Sequence, residues 1–136
     1  MSFEIRQSER EGIVILELKG RLTVGEASTL REKINELVAA GRRNIVLDMQ
    51  QVDYIDSTGL GSMVICYTTL KKAGGALKLL HLNKRNIELM ILTKLHSIFE
   101  IFSEEPDAVN SFFPGRGVTH FDILAFVKEQ QKEEQE

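Results

Sequence analysis

An α/β fold is what the order of apolar patterns predicts here: a mixed, mainly parallel sheet of about four to five strands covered by about four helices. Three observations predict it. Short runs rich in Ile, Val and Leu recur along the chain, and some are apolar on both faces, as buried central strands are. Between them lie stretches whose apolar residues fall three and four apart, the period of an amphipathic helix. After an opening pair of strands the two patterns alternate, which is the signature of parallel strands joined by crossover helices.

Taken in order, Phe3 to Arg6 alternates apolar and charged residues and reads as a short strand. Gly12 separates it from the apolar run Ile13 to Leu18, which Gly20 closes. From Glu26 the period is helical, through Ala27, Leu30, Ile34, Leu37 and Val38, with Gly41 as the stop. Asn44 to Asp48 reads as a short buried strand followed by a polar link. Asp56-Ser57-Thr58 opens a helix reaching about Lys72, with Leu60, Met63, Val64, Tyr67 and Leu70 inward and Gly74-Gly75 at its end. Leu77 to Leu82 is a strand, Ile87, Met90 and Ile91 mark a helix, and Ile98 to Ile101 is a short edge strand. Ser103 is the expected cap of a helix running toward Phe113, with Pro106 tolerated near its start.

Pro114-Gly115-Arg116-Gly117 is the one strong break. It divides residues 1–114, a single domain, from residues 115–136, a C-terminal extension. There Phe121, Leu124 and Ala125 mark a short amphipathic helix that frays into a charged tail. Its apolar face (Phe121, Leu124, Phe126) is expected to pack on its own body, with a homodimer contact as the alternative.

Composition narrows the function classes. Cys66 is the one cysteine, which rules out an internal disulfide and a Cys-rich metal site and suits a reducing cytoplasm. No apolar stretch approaches the ~20 residues of a membrane span, and Met1 to Glu4 lacks a signal-peptide pattern. The net charge of −3 lies wholly beyond His120, where five acids face two bases. Such a balance does not suggest a nucleic-acid surface. His81, His96 and His120 have no Cys or acidic partner at ligand spacing, so no metal is expected. The chain contains neither G-x-x-x-x-G-K-S/T nor the G-x-S-x-G turn of serine hydrolases. It is therefore read as a non-enzyme without a cofactor.

The informative stretch is Tyr54-Ile55-Asp56-Ser57-Thr58-Gly59-Leu60-Gly61. Its plain reading is a helix cap, since Asp, Ser and Thr oxygens accept unpaired N–H groups of a first turn. Gly59 and Gly61 ask for more. Each costs a helix about 0.8–1.0 kcal/mol against Ala, whereas close approach by another backbone or a ligand would reward it. A phosphate on Ser57 would suit the positive end of the helix dipole and would set a second negative group beside Asp56. It would change the surface and preserve the fold.

Asp56-Ser57-Thr58-Gly59-Leu60-Gly61 resembles the D-S-S/T-G-L-G signature of STAS domains in anti-sigma factor antagonists. Gly20-Arg21-Leu22 resembles that family's G-x-L element, Asn44 to Asp48 its strand before the signature, and Gly74-Gly75 its helix end. The resemblance runs from about Phe3 to Phe113. It implies a bacterial, cytoplasmic partner switch in which an anti-sigma factor with an ATPase-type serine kinase fold phosphorylates Ser57. The bare antagonist binds that kinase and frees the sigma factor, and a serine phosphatase resets it. Thr23, Asp56, Ser57, Thr58, Gly59, Leu60 and Gly61 would form the docking surface, completed by the loop Gly20 to Gly25. Thr23 departs from the pattern, standing where many antagonists carry Asp. Thr58 stays open as a second acceptor. Two other classes stand beside this reading. A STAS subunit of a stress-sensing assembly would form a large particle, and a small nucleotide-binding or hydrolytic enzyme would show turnover.

Overall fold

A computed structural model describes residues 3–135. Five strands form one sheet in the order β1-β2-β3-β4-β5: β1 Glu4–Arg10, β2 Ile13–Leu22, β3 Asn44–Ile55, β4 Ala76–Leu80 and β5 Ile101–Phe102. The β1–β2 pair is antiparallel, and every later pairing is parallel. The helices are α1 Val24–Ala39, α2 Ser57–Lys72, α3 Lys84–Leu92, α4 Glu105–Asn110 and α5 Ile123–Glu134, with a single 3-10 turn at Leu95–Ser97.

Two cores explain the apolar pattern. On one sheet face Val14, Leu16, Leu18, Leu22, Ile45, Leu47 and Leu79 meet Leu30 and Ile34 of α1, Met63, Cys66 and Leu70 of α2, and Ile87 and Met90 of α3. On the other face Ile13, Ile15, Val46, Leu80 and Phe102 meet Ala108 and Val109 of α4. The central strands are apolar on both faces because both faces are covered. A fully buried Leu or Ile contributes roughly 1.5–3 kcal/mol, so these two clusters hold the sheet between its helices. Burial pushes the Cys66 thiol up to about 12, against a small opposing pull from Arg31, which leaves it a packing residue.

Several boundaries differ from the sequence expectation, each for a local reason. Gly20 does not close β2. With φ +119 it sits in an irregular register that lets the strand continue to Leu22. The expected polar link after Asp48 is strand: β3 runs on to Ile55, with Met49, Val52 and Ile55 buried among exposed Gln50, Gln51 and Asp53. The β4 strand stops at Leu80 rather than Leu82, because His81 turns into the left-handed region at φ +58. The edge strand is Ile101–Phe102, not Ile98 to Ile101. Glu104, not Ser103, occupies the cap position of α4, with Pro106 in its first turn. The inner stripe of α2 is Gly59, Ser62, Met63, Cys66 and Leu70, while Leu60, Val64 and Tyr67 pack at its margin.

The extension lies against the body. Phe121, Ile123 and Phe126 pack on the first core, whereas Leu124, expected on that face, is 64% exposed. Helix α5 reaches Glu134 without fraying early, and Glu133 pairs with Lys84 at 3.0 Å.

Candidate functional site

Right-handed parallel crossovers bring the carboxyl ends of β2 and β3 together, each followed at once by a helix. The Asp56 N–H donates to the Leu22 carbonyl at 3.2 Å, which ties the β3–α2 junction to the end of β2. Gly59 makes that approach possible. A Cβ built on it would fall 2.1 Å from the Leu22 carbonyl oxygen, so only glycine fits. The Gly20–Gly25 loop is correspondingly short: Thr23 alone separates β2 from α1.

Asp56 is the N-cap of α2, and its carboxylate accepts the Gly59 N–H at 2.7 Å. Ser57 is the first residue inside the helix and is exposed, and its hydroxyl has no hydrogen-bond partner among the described residues. Thr58 is exposed beside it, and Leu60 is half-buried against the core. Gly61 is exposed, with open space where a Cβ would stand. The two glycines thus differ in purpose: Gly59 admits a backbone, and Gly61 leaves the outer surface bare.

Across the junction Thr23 is the N-cap of α1 by its backbone, its carbonyl accepting the Ala27 N–H at 2.8 Å. Its side chain does not cap. The hydroxyl donates instead to the Glu26 carboxylate, and this bond, ahead of the other contributions, holds the Glu26 carboxyl below its ordinary value. A carboxylate therefore stands next to Thr23, where the sequence suggested one was missing. Thr23-x-x-Glu26 fits the S/T-x-x-E capping-box pattern, the signal that would have drawn attention to Glu26. Val24, 69% exposed, adds an apolar group that periodicity did not single out. Helices α1 and α2 are clamped by Ser62, whose hydroxyl donates to the Ala27 carbonyl at 3.0 Å and receives Arg31 at 3.3 Å.

The structure thus brings Thr23, Asp56, Ser57, Thr58 and Gly61 to one edge of the sheet, with Gly59 buried beneath them. Two helix amino termini meet there, and their dipoles favour a negative group. Among the described residues no cluster of three or more His, Cys, Asp or Glu side chains is placed to hold a metal ion. No helix is long and apolar enough to cross a membrane.

A profile of the STAS domain matches residues 4–108, which include both junctions. The chain belongs to the STAS domain family. It is 33% identical to the anti-sigma-B factor antagonist of Bacillus subtilis over 109 residues, covering 80% of this chain and 99% of the relative. An anti-sigma factor antagonist from Mycobacterium paratuberculosis superposes with a TM-score of 0.72 at 22% identity, covering 82% of this chain and 94% of that one. The Bacillus cell fate determinant SpoIIAA in its phosphorylated form superposes with a TM-score of 0.61 at 21% identity, covering 81% and 98%. Both solved structures share the STAS fold. The relatives are named as antagonists of anti-sigma factors.

Proposed function

We propose that this STAS protein is an anti-sigma factor antagonist that works as a partner switch in the bacterial cytoplasm. In its unphosphorylated form it binds an anti-sigma factor with an ATPase-type serine kinase fold and releases the sigma factor. Phosphorylation of Ser57 by that kinase ends the interaction, and a serine phosphatase restores it.

One observation carries the reading. The Ser57 hydroxyl is exposed and unoccupied because Asp56 does the capping. A residue placed at a helix start with no structural duty is free to be modified. The phosphate would add about −1.5 to −2 charge at pH 7 to a surface formed by Thr23, Thr58 and Gly61. It would leave the core under α2 untouched, so the fold would persist while the docking surface changed. Gly59 and Leu60 contribute by position, setting how closely α2 approaches β2.

Phosphosite mapping by mass spectrometry, on protein recovered from its native cells, tests this assignment. The expected result is a single phosphate on Ser57 that disappears in Ser57→Ala. A phosphate on Thr58 alone, or none under any growth condition, would remove Ser57 as the acceptor.

A further inference from the structure

Beside Ser57, starting within the Gly20–Gly25 loop, lies a feature to which the antagonist reading assigns no chemistry. Arg21 and Arg85 both stack on Tyr54, with guanidinium carbons 4.8 and 5.1 Å from the ring centroid. Arg21 is next to the register irregularity of β2, Tyr54 is its register partner on β3, and Arg85 lies in the first turn of α3. Such irregularities re-aim side chains, and here one accompanies Arg21 on Tyr54. Both arginines are exposed, and among the described residues neither has a carboxylate within salt-bridge distance. Of the site carboxylates, Asp56 accepts the Gly59 N–H, and Glu26 accepts the Thr23 hydroxyl and feels the Arg21 charge without pairing with it. Neighbouring Lys84 is taken by Glu133.

Each guanidinium lies within cation–π range of the ring, and its N–H edge is a fork suited to a planar, bidentate acceptor. Tyr54 precedes Ser57 by three residues, so their Cα atoms are at most about 11 Å apart. Phosphate at Ser57 and carboxylates on the arginines are like charges, so an acidic segment that reaches from one to the other meets repulsion once Ser57 is modified.

Resting on the antagonist reading and deepening it, the geometry points to Arg21–Tyr54–Arg85 as a docking shelf for an acidic segment of the protein that binds at Ser57. The guanidinium groups take carboxylates, and a phosphate on Ser57 opposes the same acidic segment by like charge. A nucleic acid is the poorer occupant, since the chain is acidic overall and two arginines make too small a footprint for a polyanion.

The test is an NMR titration of the full chain with a short glutamate-rich peptide, a glutamine-rich peptide and a single-stranded DNA oligonucleotide, following the arginine side-chain Nε–Hε signals. The glutamate peptide is expected to shift Arg21 and Arg85, and the glutamine peptide is not. The exposed double variant Arg21→Gln/Arg85→Gln, with an unchanged melting temperature, is expected to bind at least roughly tenfold more weakly. Ser57→Asp is expected to weaken peptide binding severalfold. Shifts spread equally over Arg6 and Arg10, an unaffected double variant, an unaffected Ser57→Asp, or stronger binding of the oligonucleotide would each overturn the proposal. Failure of the antagonist reading would register differently, as protein-partner binding that ignores Ser57→Asp while the peptide titration stays as expected.

Discussion

Asp56 and Ser57 are adjacent and almost equally good cap formers, yet the fold employs them differently. Asp56 accepts the Gly59 N–H, and among the described residues the Ser57 hydroxyl has no partner. Asp56→Ala should therefore lower stability by about 1 kcal/mol, and Ser57→Ala should stay within about 0.5 kcal/mol of the parent. Urea denaturation of the two variants checks the order. The glycines separate in the same way. Gly59→Ala forces a methyl into the Leu22 carbonyl and should cost at least about 1–3 kcal/mol. Gly61→Ala meets nothing and should gain about 0.4–1 kcal/mol, so thermal melts should move in opposite directions. At this scale the sequence singled out Asp56 to Gly61 and expected a close approach at both glycines; a neighbouring backbone meets Gly59 and nothing meets Gly61. It could not show which oxygen caps the helix, because three cap-forming residues in a row differ only in their backbone angles.

Among the elements, the order of strands and helices was legible because each element buries an apolar set with its own period, and a period survives local irregularity. Boundaries were harder. Gly20 looks like a strand end and is a bulge inside β2. The second half of β3 looks like a polar link because its exposed side carries Gln50, Gln51 and Asp53 while Met49 and Val52 point to the core. The extension beyond Pro114 is fastened at several points. Arg116 grips Glu11 through two bonds of 3.0 and 3.1 Å, the Phe121 N–H donates to Ile101 at 2.8 Å, and His120 meets Glu100 at 2.9 Å. Burial would raise the Glu100 carboxyl, but bonds from His120 and Lys78 outweigh it and hold the group below its ordinary value. Phe121→Ala should accordingly cost about 2 kcal/mol, less than the 3–5 kcal/mol of a fully buried Phe. Chain 1–114 should fold with a lower urea midpoint than the full chain. An unchanged midpoint would show that the extension contributes nothing to the body.

For the whole molecule, the sheet acts as a rigid frame that presents two helix starts side by side, with the exposed Ser57 and Thr58 hydroxyls between them. The core under α2 does not involve Ser57, so modification can change recognition without unfolding anything. The family was legible because the six-residue signature stands at a strand-to-helix junction, where parallel α/β folds place their sites. The Arg21–Tyr54–Arg85 stack was not legible, since it joins three elements far apart in sequence. The central claim is that negative charge at residue 57 decides partner binding. Parallel pull-downs from native lysate with wild-type, Ser57→Ala and Ser57→Asp baits test it most directly. The account predicts that a kinase-type ATPase is recovered by wild type and Ser57→Ala and lost with Ser57→Asp; recovery of the same partners by all three baits, or of none by any, would contradict it.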